Sequence, residues 1–331
     1  MRCAWIIGSG GLLGSALCRL LRRDTNTRLF IPGGRFFWND WPSLAVQLTN
    51  AVASFAACTA AAEPWEIYWA AGIGTMGSST ETLEQETRAL RLLLGRIAAT
   101  PRLTASDGAV VLASSAGAVY AGAADALITE ATTPAPTTAY ARAKLAQEEL
   151  LRVFAATQEQ VQIQVRPQSR PQIRTQVVRI STLYGHASCS AKQQGLLTHM
   201  ARSILRRKPI QIYVPYDTIR DYIAADDAAT AMITTLRATG PAYPHAHLTR
   251  IIASQQPATI AEIIAIFNRV ARRAPRIVTS ASRLSDLYTR RIQFRSVVLQ
   301  ERPRPPVRSL LVGIAELMNA ERDAFARASL P

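Results

Sequence analysis

The chain is predicted to be an α/β protein, a doubly wound parallel (Rossmann) sheet with a smaller C-terminal lobe, on three observations. Short apolar runs alternate with stretches of helical spacing over residues 1–185, a pattern that implies right-handed crossovers and parallel strands. The first run passes directly into Gly8-Ser9-Gly10-Gly11-Leu12-Leu13-Gly14, as a strand, tight turn and helix require. With 331 residues, 48% of them hydrophobic, the chain can bury a large core without staples.

In order, Ala4–Ile7 reads as a buried strand and Leu12–Arg22 as an amphipathic helix beginning inside the glycine turn. Thr27–Ile31 is a second strand stopped by Pro32-Gly33-Gly34, and Leu44–Ala62 has helical spacing. Ile67–Ala71 is a strand ending at Gly72, Thr82–Ala99 a long amphipathic helix, and Ala109–Ala113 a strand with Ser114 and Ser115 at its carboxyl end. Ala139–Ala156 is helical and Gln176–Ser181 another buried strand. The Gln-, Arg- and Pro-rich run 158–176 is expected to be an exposed insertion. Beyond Gly185 helices are expected at Leu196–Arg206, Asp226–Arg237, Ile260–Ala271 and Gly313–Ala328. Residues 186–331 thus form mainly the second lobe, with a strand and helix near 219–238 returning to the first. In an open parallel sheet, ligands sit at the carboxyl ends of the strands.

Cys3, Cys18, Cys58 and Cys189 are scattered, without a CxxC pair or histidines at metal spacing. They are expected to be buried small hydrophobes in a reducing, cytoplasmic setting, and no metal site is expected. Met1–Cys18 reads as strand, turn and helix rather than a signal peptide, because no Ala-x-Ala site follows its glycines. No segment has the ~18 uninterrupted apolar residues of a membrane span. The net charge of +15 invites a nucleic-acid reading, but the arginines are spread through alanine-rich helices without an aromatic-interleaved stripe. No nucleic-acid or membrane partner is therefore expected; the basic field would instead gather an anionic small substrate.

Unpaired amides at a helix start and the helix dipole favour an anion, so the turn at Gly8, Ser9, Gly10, Gly11, Leu12, Leu13 and Gly14 suits a dinucleotide pyrophosphate. Its spacing is G-x-x-G-x-x-G, and a purely structural tight turn is the alternative. After the second strand, where a carboxylate would hold the ribose of NAD, stands Arg35, which favours NADP; the alternative is a solvated arginine. Tyr140 and Lys144 share a helix face, and an ammonium beside a phenol favours the phenolate, as proton transfer near neutral pH needs. Ser114 and Ser115 offer hydroxyls that can share a substrate oxygen with Tyr140, or merely bond local backbone.

Together these residues resemble the extended short-chain dehydrogenase/reductase superfamily, and within it the sugar-nucleotide NAD-dependent epimerase/dehydratase family. The resemblance rests on the glycine turn, Ala70-Ala71-Gly72, Ser114 to Tyr120, Tyr140-x-x-x-Lys144, Arg179 to Gly185, Lys208 to Tyr213 and Arg220-Asp221-Tyr222-Ile223-Ala224-Ala225-Asp226-Asp227. It implies NAD or NADP bound by the turn, by Ala70, Ala71 and Gly72 and by Lys144, with a nucleoside-diphosphate sugar between the lobes. It further implies Tyr140 as acid–base residue, Lys144 as its tuner and ribose ligand, Arg220 and Tyr184 as substrate contacts, and a homodimer through the two long helices. Asp226 and Asp227 are expected to cap or anchor the following helix.

Three departures stand out. The family's catalytic Ser or Thr falls on Ala116, leaving Ser115 as substitute; Gly117-Ala118 replace the Asp-Glu pair of the dehydratases, which argues against dehydration; and Pro64-Trp65 replace an acidic residue near the adenine. The expected activity is that of an NAD(P)-dependent epimerase or ketoreductase on a nucleotide sugar. The alternative is a catalytically impaired dinucleotide-binding protein with a redox-sensing or interaction role.

Overall fold

A computed structural model describes residues 1–60, 63–72, 74, 78–165, 173–186, 195–239, 245–272, 275–279, 291–299 and 305–328. The first lobe is built on β1 (Arg2–Ile7), β2 (Thr27–Phe30), β3 (Trp65–Trp69), β4 (Gly108–Ser115), β5 (Ile173–Ile180) and, far along the chain, β9 (His247–Ile252). These six lie in the order β2-β1-β3-β4-β5-β9, every neighbouring pair parallel. The order reverses between β1 and β3, which opens a crevice above their carboxyl ends.

Helices cover both faces of this sheet. α2 (Trp41–Cys58), α3 (Thr80–Ala98) and α6 (Ala139–Val165) pack on one side, with short α4 (Pro101–Thr104) and α5 (Ala116–Val119) flanking β4. α1 (Leu12–Arg23) and α8 (Ala225–Ala238) pack on the other. The first side owes its bulk to fully buried Trp5, Trp65 and Trp69, with Phe55 between two of the indoles, 5.6 Å from Trp5 and 6.2 Å from Trp65 by ring centroids. A Cβ on Gly108 would stand 2.1 Å from the Trp65 ring, so glycine is needed where β3 and β4 begin side by side.

The second lobe holds β6 (Thr182–Tyr184), β8 (Ile219–Ala224) and β10 (Pro257–Thr259) in one small sheet, and β7 (Ile210–Ile212) with β11 (Ile277–Thr279) in another. α7 (Leu196–Leu205), α9 (Ile260–Ala271) and α10 (Leu310–Ala328) enclose its core. Thr259 and Glu262 form a reciprocal capping box at the start of α9.

Three expectations are corrected. The run 158–176 is not simply an exposed insertion: α6 continues to Val165, since Gln and Glu are good helix formers and the first proline is Pro167, and β5 begins at Ile173. Residues 166–172 lie outside the described residues. Residues 219–224 do not return to the large sheet but pair with β6 and β10; α8 does return, and the strand that joins is β9. Its three polar residues, His247, Thr249 and Arg250, hide that strand from an apolar-run criterion. Cys58 is exposed rather than buried, because it falls with Ala53, Ser54 and Ala57 on the outward face of α2, and Cys18 is only partly buried; Cys189 lies outside the described residues.

Candidate active site

The glycine turn sits at the carboxyl end of β1, at the reversal of strand order. Gly8 has φ of +92°, and a Cβ there would lie 2.5 Å from the Ala71 backbone nitrogen. A Cβ on Gly14 would meet the Gly8 carbonyl oxygen at 2.1 Å. These two glycines thus let the turn fold onto its own helix and against the end of β3, while Gly10 meets nothing within 4 Å and Gly11 donates its N–H to Gly8 O at 3.0 Å. Leu12 and Leu13 send their side chains into the core and leave only backbone to the turn. No side chain caps α1 and no acidic residue stands in its first turn, so its leading amides are open to an anion; the chemistry of this donor set fits a pyrophosphate.

Tyr140 and Lys144 lie one turn apart near the start of α6, where the Thr138 hydroxyl oxygen accepts the Ala141 N–H. Tyr140 is half-buried, Lys144 is buried, and Lys144 Nζ stands 5.7 Å from the Tyr140 ring centroid. The ammonium donates to Gln147 Oε1 at 3.0 Å, and Gln147 Nε2 reaches Thr87 Oγ1 of α3 at 3.4 Å. Lys144 Nζ also lies within 3.7 Å of the point where a Cβ on Gly72 would stand. The structure therefore brings the lysine of α6 to the end of β3, beside Ala70 and Ala71, whose backbone abuts the glycine turn.

The two serines part company. Alternation along β4 sends Ala113 and Ser115 to the less buried face and Ser114 toward α6. There Ser114 Oγ donates to Glu148 Oε1 at 2.5 Å, and Glu148 accepts from Arg179 Nη2 at 2.6 Å and from its Nε at 3.1 Å. Arg179 Nη1 donates to the Tyr120 hydroxyl, a phenol that burial pushes up against the opposing pull of the guanidinium. Ser114 is thus a member of a buried polar network, whereas Ser115 stands on the less buried face. Ala116, next on the α6 side, is fully buried.

The outlying candidates are placed as follows. Arg35 is exposed beyond β2, in a segment held by Gln47, which donates to the Arg35 carbonyl at 2.9 Å. Arg220, partly buried on β8, donates to the Ile219 carbonyl at 2.9 Å. Tyr184 is only 3% exposed and packs in the core of the second lobe, its phenol pushed up to about 12 by burial. Asp226 pairs with Arg19 of α1 and Asp227 Oδ2 accepts the Arg308 N–H at 2.9 Å, so the two anchor α8 without capping it. Missed altogether were Glu148, Gln147 and Glu86. Glu86 is detectable as a charge on the apolar stripe of α3, between Leu83 and Leu90.

A family model described as "NAD dependent epimerase/dehydratase family" matches residues 4–246. A dTDP-L-rhamnose 4-epimerase of Burkholderia thailandensis is 30% identical over 107 residues, a match that covers 32% of this chain and only 26% of that relative. Among solved structures, MoeE5 in complex with UDP-glucose and NAD aligns with a TM-score of 0.75 at 19% identity, covering 98% of this chain and 100% of that one. RMD from Pseudomonas aeruginosa complexed with NADPH gives 0.74 at 19% identity over 98% and 100%. A UDP-glucose 4-epimerase from Thermotoga maritima gives 0.75 at 15% identity, again over 98% and 100%. At such identities the structures speak for the fold, and with them agrees the parallel six-stranded sheet; the family match spans the glycine turn, the helix turn that carries Tyr140 and Lys144, and β5, and on it the chain belongs to the NAD-dependent epimerase/dehydratase family.

Proposed function

We propose that the chain binds NAD or NADP and acts on a nucleoside-diphosphate sugar, as an epimerase or ketoreductase with Tyr140 moving the proton. The observation that carries this is the buried Lys144 ammonium, set beside both the Tyr140 ring and Gly72 at the end of β3. Proteins of similar fold are known with UDP-glucose and NAD and with NADPH, and a partial relative is a dTDP-sugar epimerase. The amides of Gly10 to Leu13 would hold the pyrophosphate, Ala70 to Gly72 would back it, and Lys144 would meet the nicotinamide ribose. When bound, the coenzyme supplies hydride transfer to and from a sugar carbon. Tyr140 Oη takes the proton of the sugar hydroxyl or returns it to the carbonyl oxygen. Ser115, on the open face of β4, donates to that same oxygen, and Arg220 clamps the substrate diphosphate through a guanidinium that matches two phosphate oxygens.

One observation favours a second reading. Ala116 fills the position where the family resemblance calls for a hydroxyl, and Ser114 is committed to Glu148, so a dinucleotide-binding protein with impaired catalysis is the rival. A native mass spectrum, followed by proton NMR of UDP- and dTDP-sugars incubated with the protein, tests both. Retained coenzyme and turnover without added NAD(P) identify an epimerase, and stoichiometric loss of NADPH identifies a reductase. Abolition of either by Tyr140→Phe supports the assignment, whereas no turnover on any sugar, or turnover unchanged in Tyr140→Phe, overturns it.

A homodimer is part of the same proposal. The open face of α3 carries Glu81 and Glu84 before Arg88 and Arg91, so two copies related by a twofold axis would set acids against arginines, while α6 adds exposed Val153 and Val161. Sedimentation at graded concentrations reads this directly, and a monomer throughout refutes it.

A further inference from the structure

Glu86 is only 4% exposed, on a helix whose neighbouring inward positions are Leu83, Ala89 and Leu90. An isolated carboxylate is costly to bury, so one kept there implies partners that need it. Its Oε1 accepts the backbone N–H of Gly74 at 2.7 Å, tying α3 to the chain just beyond β3. Its Oε2 comes within 3.5 Å of the point where a Cβ on Gly72 would stand, and Lys144 Nζ comes within 3.7 Å of that same point. Carboxylate and ammonium thus flank one bare glycine. That glycine follows Ala70 and Ala71, whose backbone touches the turn proposed to hold the pyrophosphate.

We infer that Glu86 is a positioning residue that offsets the charge of Lys144 beside Gly72 and thereby sets how tightly the crevice holds an anionic dinucleotide. The inference rests on the coenzyme-binding reading above. Lys144 by itself would add a full positive charge to the crevice, in a molecule already carrying a net +15. Opposed by Glu86, it can still meet a ribose hydroxyl and the Tyr140 ring, but the net field on the phosphates is reduced. Gln147, tethered to Thr87 on the turn that carries Glu86, holds the ammonium in place. α3 therefore both grips the lysine and tempers it.

Glu86→Gln separates charge from structure, because the amide oxygen can still accept the Gly74 N–H. A unit charge about 10 Å from a phosphate, at an effective dielectric of about 20–40, changes affinity about four- to fifteenfold. NADH and NADPH are titrated into the full chain and its variants by nicotinamide fluorescence, with neutral adenosine as a control probe. Glu86→Gln is expected to bind both dinucleotides that much more tightly with adenosine affinity unchanged, and Glu86→Asp, which keeps the charge, to stay near the parent chain. Glu86→Asn provides the same neutralisation should the glutamine variant fail to fold. Equal or weaker dinucleotide binding by a folded neutral variant overturns the inference while leaving the coenzyme reading intact. Failure of the parent chain to bind either dinucleotide overturns that reading instead, and the inference with it.

Discussion

Glu148→Ala should be the most destabilising single truncation near the site. In the parent chain Glu148 receives three hydrogen bonds from Arg179 and one from Ser114, with side-chain exposures of 8% for Glu148 and 10% for Arg179. Truncation strands a guanidinium in the interior with the Tyr120 hydroxyl as its remaining side-chain acceptor among the described residues, and an uncompensated buried charge of this kind costs about 3–5 kcal/mol. Unfolding entropy near the midpoint is on the order of 0.7 kcal/mol/K for a chain of 331 residues, so the expected fall in Tm is about 4–7 °C. The assay is thermal and urea unfolding followed by circular dichroism, with Glu148→Leu, Arg179→Met and the double variant Glu148→Leu/Arg179→Met completing a cycle. Replacing both charges with apolar groups of similar volume should recover most of the loss, since the desolvation cost then vanishes with the pair. A loss under about 1 kcal/mol for Glu148→Ala, or a double variant as unstable as the sum of the singles, would refute the reasoning.

Other outcomes follow from the same geometry. Ser114→Ala should cost about 1 kcal/mol in stability with turnover nearly intact, whereas Ser115→Ala should keep stability and lower kcat on the order of a hundredfold; reversed effects in parallel melts and steady-state assays would exchange their roles. Arg35→Ala should weaken NADPH binding about tenfold and leave NADH unchanged, and isothermal titration with both coenzymes decides it. The Thr27 hydroxyl, the Asn26 N–H and Arg237 hold the Asp24 carboxyl down to about 2, below its ordinary 3.8. Because the folded value is depressed, the stabilisation is complete above about pH 4 and disappears as pH falls through about 2. Asp24→Asn should therefore cost about 1 kcal/mol at pH 6 and almost nothing near pH 2, as urea midpoints at the two pH values will show.

Much of the site was legible along the chain because its parts are local. A glycine turn between strand and helix and a Tyr-x-x-x-Lys pair need only a few consecutive residues and a known helical period. The placement of Gly8 and Gly14 could be anticipated for the same reason, although the physical demand for each is now specific: Gly8 must clear the Ala71 backbone and Gly14 the Gly8 carbonyl. Ser114 shows the limit of such arguments. Two adjacent serines look equivalent in a string of letters, yet strand alternation sends them to opposite faces, and a glutamate 34 residues on claims one of them.

By itself the order of residues determined the alternating strands and helices, the parallel sheet they imply, and the identity of the phenol and lysine that could move a proton. These follow from periodicity, backbone sterics and spacing within a single helix, all of which act over short stretches of chain. Only the tertiary structure decided that β9 completes the large sheet while β8 does not, that Tyr184 is core, and that Glu86 stands beside Lys144. Strand pairing and buried electrostatics depend on which surfaces pack together, and a charge on an apolar stripe declares its partner only when the helix that carries it has docked.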